Sequence, residues 1–366
     1  MKALTVGGAM IDTIAIIESD RIERMTMFNA DTSFLLLEEG RKTEASEIST
    51  HCGGGAVNAA VAMARLGHDV AALIKLGRDE RAETILARLM QEGVSARWVV
   101  RDARAPTGAS VLVSSHDRNA AIFTFRGANT LLEPGDLKIE AFAVDLVHVA
   151  SLSNKSADCF PLIIERAKSQ GALVSANPGV RQLSARGGAF QQCLRQIDVL
   201  SINRAEADVL VPSLVAAFGE GGPTSPLAAA EEEPPPLAVR GLEGGGFVLS
   251  LWAFMGDMSR LGARYILLTD GRGGAFLGMD DEVLYCPALE AQVVGTAGAG
   301  DAFTATFSAF IAQGRPPEQA LMAAALNATS VLGFADTQSG LLTAEELERR
   351  LKSGAARAPI RRWRLR

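Results

Sequence analysis

Short unbroken apolar runs recur along this chain, each followed by a stretch with helical spacing. Residues 3–8 (ALTVGG) form such a run and end on glycines. VAALIKLG (70–77), DLVHVAS (145–151), ALVSANP (172–178), DVLSIN (198–203) and RYILLTDG (264–271) repeat the pattern. Runs of this length, apolar on both faces, are strands buried between two helical layers. The intervening segments carry small and apolar residues at helical spacing. They include a helix from about Val57 to the stop at Gly67, one near 86–94 (LARLMQEGV), and the long stretches TATFSAFIAQG and LMAAALNATSVLG. Strands alternating with helices predict an α/β fold: a three-layer, doubly wound, mostly parallel sheet.

Two regions leave that rhythm. Residues 13–50 and 107–125 show brief apolar segments (TIAII, SFLLLEE, TGASVLVSS, AAIFTFRGAN) between charged turns. They predict short half-exposed strands, the second region a hairpin, appended to the core as a small β element. Phe123 and Phe125 fall there, with strand packing as their expected role. The predicted core is then 1–12, 51–106 and 126–356. Within it, residues 212–246 hold six of the 14 prolines, seven glycines and the run Glu231-Glu232-Glu233. That composition buries too little apolar surface to offset its ordering entropy, which predicts a flexible insertion. Residues 357–366 carry five arginines and read as a solvated basic tail.

Composition narrows the function classes. Hydrophobic residues are 48% and charged residues 21% of the 366, a globular balance. A net charge of −6 argues against a broad nucleic-acid or anionic-membrane surface, since both need a basic excess. The opening apolar stretch is broken by Gly7, Gly8 and Asp12, and the run 247–255 is too short to span a bilayer. Cys52, Cys159, Cys193 and Cys286 form no paired motif, so reduced thiols in a cytoplasmic protein are expected. The four histidines are scattered and make no metal or triad pattern; His51, beside a glycine turn, is a minor candidate for substrate contact.

Three glycine turns carry the candidate chemistry. The strongest is Gly295-Thr296-Ala297-Gly298-Ala299-Gly300-Asp301, directly before a helix. Glycines there let backbone N–H groups turn inward, and a helix N-terminus adds unsatisfied donors and positive partial charge. The result suits a phosphate. Asp301 beside it can take a proton from an incoming hydroxyl while the amides of Gly298, Ala299 and Gly300 hold developing charge. An N-cap aspartate behind a plain turn is the competing reading. The second turn is Gly53-Gly54-Gly55, with Asn58 one helical turn later offering both donor and acceptor. The third is Thr269-Asp270-Gly271-Arg272-Gly273-Gly274, at the carboxyl end of a strand, where α/β sheets bind ligands.

In order and spacing these clusters resemble the ribokinase-like carbohydrate kinases of the PfkB type. GGGAVNAAVAMARLG is similar to the family's first signature and GTAGAGDAFTATF to its second. Asn203-Arg204-Ala205-Glu206 resembles its N-x-x-E motif and TDGRGG its nucleotide-side turn. The resemblance covers most of the chain outside 212–246 and the arginine tail. It implies transfer of the ATP γ-phosphoryl group to a hydroxyl of a small sugar, with Asp301 as general base. Asn203 and Glu206 would hold Mg²⁺ through its waters. Asn203, Thr269, Gly271, Gly274 and Asn327 would border the nucleotide, and Asp12, Gly54 and Asn58 the sugar. The early β element would be a lid that excludes water and pairs subunits into a homodimer.

Three positions depart from the family pattern. Gly295 stands where the second signature has an aspartate that, in members activated by a monovalent cation, helps build the cation site. That weighs against K⁺ activation, although Thr296 and the backbone remain. Met10 and Gly55 stand where ribose-specific members carry a sugar-binding asparagine and a lysine. A site less polar or roomier on one side follows, which fits a nucleoside, a modified sugar or a larger ketose, and a nucleoside kinase on the same scaffold is the alternative function. A non-catalytic ligand-binding member is disfavoured by the intact Asp301 motif.

Overall fold

The computed structural model describes residues 1–17, 23–26, 33–36, 40, 42–115, 120–220, 234–353 and 359–365. The chain opens with β1 (Lys2–Gly7) and passes at once into β2 (Met10–Ile17). Two short strands, β3 (Glu23–Thr26) and β4 (Ser33–Leu36), pair with each other, and β5 (Glu47–Gly53) returns to β2. Next come α1 (Gly55–Arg65), β6 (Asp69–Leu76), α2 (Glu80–Gln91) and β7 (Val100–Arg101). The hairpin of β8 (Gly108–Ser115) and β9 (Ala120–Phe125) follows. The next units are β10 (Leu146–Val149), α3 (Phe160–Ser169), β11 (Leu173–Ala176), α4 (Val180–Cys193), β12 (Val199–Asn203) and α5 (Arg204–Phe218). After α6 (Pro236–Arg240), a small hairpin, β13 (Leu242–Gly244) and β14 (Phe247–Leu249), leads to α7 (Leu251–Arg260). The last part holds β15 (Tyr265–Thr269), β16 (Ala275–Met279), β17 (Glu282–Cys286), α8 (Ala299–Ala312), α9 (Pro317–Val331), α10 (Ala344–Ser353) and β18 (Arg361–Arg364).

The main sheet has the order β18-β17-β16-β15-β12-β11-β10-β1-β6-β7. From β15 to β7 every pairing is parallel; β16, β17 and β18 extend the edge antiparallel. One apolar cluster, rich in residues of α3, α5 and α7, packs one face. A second, built on α1, α8 and α9, packs the other. This is the expected three-layer αβα architecture. The winding reverses between β1 and β10, so the carboxyl ends of those strands open a crevice where such sheets bind ligands. A separate sheet, β5-β2-β8-β9, stands beside the core.

Several boundaries differ from the sequence reading. Strand β2 of the small sheet starts at Met10 and its β5 ends at Gly53, so Asp12 rides on that sheet and not on the core. Helix α2 begins at Glu80, six residues before the predicted 86, because Asp79 caps it by accepting from the Ala82 N–H at 3.0 Å. Of the predicted flexible insertion 212–246, residues 221–233 lie outside the described residues. The flanks are regular: 212–218 continue α5, and the β13–β14 hairpin packs on α5, where Glu243 N–H bonds Asp208 Oδ1 at 3.0 Å. The prolines misled because three of them start or enter helices, Pro236 at the start of α6 and Pro212 within α5 among them. The predicted solvated tail is likewise corrected. Residues 361–364 form the edge strand β18, where Trp363 meets the Trp252 ring at 5.3 Å and Arg362 pairs with Glu282 and Glu318.

Candidate active site

The GAGD turn folds as its composition dictates. Gly298 adopts φ +80°, which glycine tolerates and L side chains resist, and a Cβ there would lie 2.6 Å from Thr337 Cβ. Helix α8 therefore starts without a side-chain cap. Its first internal bond is Ala302 N–H to Gly298 O at 2.9 Å, and among the described residues the amides of Gly298, Ala299 and Gly300 donate to nothing. They are free to hold an anion. Asp301 sits in this first turn, half-buried. Burial raises its pKa above the usual carboxylate range, the charge of Asp12 adds to the rise, and a hydrogen bond from Asn58 opposes it.

That bond defines the centre. Asn58, on α1, donates Nδ2–H to Asp301 Oδ2 at 2.8 Å. Its Oδ1 accepts from Thr337 Oγ1 at 2.9 Å and Gln338 Nε2 at 3.1 Å, and Gln338 Oε1 accepts from Arg88 Nε at 2.9 Å. One N–H of Asn58 stays available to a ligand. Gly54, predicted to touch substrate, has φ +98°, and a Cβ there would come within 2.6 Å of Gly8 O. The turn thus brings the start of α1 against the end of β1.

Asp12 enters from the small sheet. Its strand neighbours are His51 on β5 and Ser110 on β8. Ser110 Oγ–H donates to Asp12 Oδ1, and Gly53 leaves the space the other carboxylate oxygen fills. Burial raises the Asp12 pKa, while the Ser110 bond and His51 lower it. The charge of Asp12 adds to the rise in the Asp301 pKa.

Asn203 and Thr269 are paired neighbours at the ends of β12 and β15. Asn203 and Glu206 form a capping box: Asn203 Oδ1 accepts Glu206 N–H at 3.0 Å and Glu206 Oε2 accepts Asn203 N–H at 2.8 Å. Burial pushes the Glu206 pKa up to about 7, the two bonds to Asn203 oppose it, and Asp301 adds to it. Glu206 Oε1 stays uncommitted and can accept from a water on a cation, whereas the uncommitted Nδ2 of Asn203 is a donor and suits an anionic oxygen. Among the described residues no group of three or more His, Cys, Asp or Glu could enclose a metal directly. The TDGRGG turn closes by Asp270 N–H to Gly274 O at 2.9 Å, with Gly271 and Gly274 at positive φ.

Asn327, expected to border the adenine, has its side chain tied into the helix packing. It is fully buried, bonding Thr306 Oγ1 at 2.8 Å and accepting Leu342 N–H at 2.9 Å. Its amide is used to join α9, α8 and the 342 loop. Phe123 and Phe125, expected to pack, are instead more than half exposed on β9. Ser110, Thr337 and Gln338 join Asp12 and Asn58 with no local signal in the sequence. Asn177, whose Nδ2 donates to Ser201 O at 2.8 Å, ends an apolar strand before Pro178-Gly179, a signal that was readable. Gly295 lies under the Phe334 carbonyl, 2.6 Å from where a Cβ would stand, so an aspartate there would force that backbone aside.

The model of the pfkB family carbohydrate kinases matches residues 22–217 and 255–344. The deoxyribokinase of Salmonella typhi is 26% identical over 339 residues, covering 91% of this chain and 96% of that protein. The fructokinase of Klebsiella pneumoniae is 29% identical over 316 residues, covering 82% and 92%. The structure of Arabidopsis thaliana ribokinase complexed with ribose and ATP superposes with a TM-score of 0.68 at 21% identity, covering 96% of this chain and 98% of that one. No helix among the described residues is long and apolar enough to cross a membrane.

Proposed function

The chain belongs to the pfkB family of carbohydrate kinases, and on that premise we propose that it moves the γ-phosphoryl group of ATP to a hydroxyl of a small sugar held between Asp12 and Asp301. The carrying observation is Asp301 itself: a carboxylate of raised pKa beside uncommitted amides, oriented by Asn58. Asp301 takes the proton of the acceptor hydroxyl as its oxygen attacks phosphorus. The amides of Gly298, Ala299 and Gly300 hold the charge that develops on the transferring group. Asp12, fixed by Ser110, and the spare N–H of Asn58 grip sugar hydroxyls. Gly54 lets that turn close on the substrate. Thr269, Gly271 and Gly274 border the nucleotide. Asn203 and Glu206 would hold a Mg²⁺ ion through its waters, and such an ion would neutralise phosphate charge. The four cysteines are unpaired and buried, in keeping with a reducing, cytoplasmic setting.

The small sheet serves as lid and as dimer contact in this reading, supported by exposed Ile48, Val111, Ile122, Phe123 and Phe125 on its strands. A Phe123→Glu change should turn a dimer into a monomer in light scattering; a wild-type monomer at high concentration removes the dimer. The function itself is tested by coupled ADP release over a panel of sugars and nucleosides. Stimulation by a sugar, lost in Asp301→Asn, is expected. Full activity of Asp301→Asn would remove the base assignment, and a response to nucleosides alone would replace the sugar.

A further inference from the structure

Three hydrogen bonds run in one direction from the surface of α2 to the Asp301 carboxylate. Arg88 Nε donates to Gln338 Oε1 at 2.9 Å, Gln338 Nε2 donates to Asn58 Oδ1 at 3.1 Å, and Asn58 Nδ2 donates to Asp301 Oδ2 at 2.8 Å. Gln338 and Asn58 are buried. Arg88 is partly exposed, and its Nη2 pairs with Glu92 at 2.8 Å. Two amides separate Arg88 from Asp301.

An amide side chain can be turned either way, because its O and NH₂ ends have the same shape and opposite roles. The two ends of this chain remove that choice. A guanidinium only donates, and an ionised carboxylate only accepts. Were Gln338 reversed, its NH₂ would face the Arg88 N–H and its oxygen would face Asn58 Oδ1. Were Asn58 reversed, its oxygen would face the Asp301 carboxylate. Thr337 does not decide the matter: its hydroxyl meets Asn58 Oδ1 at 2.9 Å, but a hydroxyl accepts from an N–H as readily as it donates. Gln338 decides it while Arg88 holds Gln338. Aligned bonds also polarise one another, so the donor at the far end strengthens the N–H that Asn58 gives to Asp301.

The main chain of the 336–341 loop is held separately. Arg65 donates to the Gln338 and Leu341 carbonyls at 2.9 Å each and binds Glu92 through Nε and Nη2. Asp336 Oδ1 accepts the N–H groups of Gln338 and Ser339 at 2.8 Å. Removing the Arg88 side chain therefore leaves the loop its backbone anchors and leaves Glu92 a partner. The charged groups around the chain are Asp12 on β2 and Glu206 on α5, which act on Asp301. Glu92 and Arg65 stand beside Arg88, and Asp336, itself facing His51, stands beside Gln338.

We propose that Arg88 is a positioning residue for phosphoryl transfer: through Gln338 it fixes which end of the Asn58 amide meets Asp301, and so holds the base in its working orientation. This rests on the reading of Asp301 as the base, and it adds to that reaction a group from outside the pocket.

The test uses the full chain, ADP release with the responding sugar, and carboxyl NMR titration of Asp301 in protein with isotopically labelled aspartate, the signal assigned by Asp301→Asn. Arg88→Met and Gln338→Met should each lower kcat by about 5- to 50-fold, with the KM for sugar and for ATP within about twofold of the wild type. Both should move the Asp301 titration to higher pH, because the ionised form loses part of its donor. Gln338→Met exchanges neutral for neutral, so its shift is not one of net charge. Arg88→Lys, which still donates, should restore part of the loss. Circular dichroism melts check that the variants fold, and if Gln338→Met does not, the partly exposed Arg88→Met and its lysine rescue carry the test. A titration unmoved in Arg88→Met overturns the proposal even if kcat falls, since a loosened loop lowers kcat without that shift. A moved titration with kcat unchanged overturns it too, because orientation would then not matter to the transfer. If no sugar stimulates ADP release by the wild type, the reading of Asp301 as base fails, and the titration alone decides the orientation: moved in Arg88→Met, the bond chain stands; unmoved, it does not.

Discussion

Asn58 and Asp301, 243 residues apart in sequence, meet through one hydrogen bond of 2.8 Å that ties the first helix of the chain to the first turn of α8. The bond favours the ionised carboxylate against burial, and it holds the carboxylate in place by Oδ2. Asn58→Ala removes both effects. The Asp301 pKa should rise further, so the acid limb of the kcat–pH profile should move upward. The plateau kcat should fall by about 10- to 100-fold from lost positioning. A profile that does not move would show that Asn58 acts on the fold alone.

The parts legible in the sequence were those written locally. Buried strands announced themselves as apolar runs, and the GAGD turn as glycines before a small-residue helix. Asp301 and Gly298 could be named because one turn carries both. The partners of Asn58 could not: Thr337 and Gln338 reach it from a loop near the other end of the chain, and no spacing rule links them. The same holds for Ser110, placed beside Asp12 by strand register. The bonds of Asn327, to Thr306 on α8 and from the Leu342 N–H, likewise join elements that no local spacing links. The arginines of 361–364 read as solvated because their alternation with Trp363 is too short to stand out as a strand.

Gly53→Ala tests the seating of Asp12. The added methyl would overlap Asp12 Oδ2, and the φ of Gly53 is not in the left-handed region, so the backbone can accept alanine. The carboxylate must turn away from its place beside Ser110. The KM for sugar should rise about 10-fold or more while the KM for ATP stays level. Equal effects on both would place the damage elsewhere.

Asn327→Ala separates packing from nucleotide contact. Two buried hydrogen bonds are lost, leaving Leu342 N–H without its acceptor. Denaturant titration should show a loss of about 2–3 kcal/mol. The KM for ATP should change less than twofold in the folded fraction. A large rise in that KM with stability intact would return Asn327 to the adenine.

Trp363→Ala tests the edge strand. The ring lies against Trp252 at 5.3 Å and Tyr285 at 6.4 Å and is partly buried, so the loss should be about 2 kcal/mol, below that for a fully enclosed ring. Activity at 25 °C should be unchanged, because β18 lies at the far edge of the sheet from β1 and β10. A wild-type melting curve in Trp363→Ala would mean that the strand is detached in solution.

Asp301→Asn sets function against stability. Loss of the base should lower kcat by about 10²- to 10⁴-fold with little change in either KM. The folded-state pKa of Asp301 lies above its ordinary value, so at pH values between the two the folded protein holds a proton that the unfolded chain releases. Ionised Asp301 therefore destabilises the fold above its unfolded pKa, and the penalty is complete once pH exceeds the raised value. It fades as pH falls through that value. Asparagine keeps the shape and can still accept from Asn58 Nδ2 while carrying no charge. Thermal melts should then show the variant more stable than the wild type at pH 8, with the gap narrowing towards pH 4. A variant less stable than the wild type at pH 8 would mean that the Asn58 bond to the carboxylate outweighs the burial of its charge.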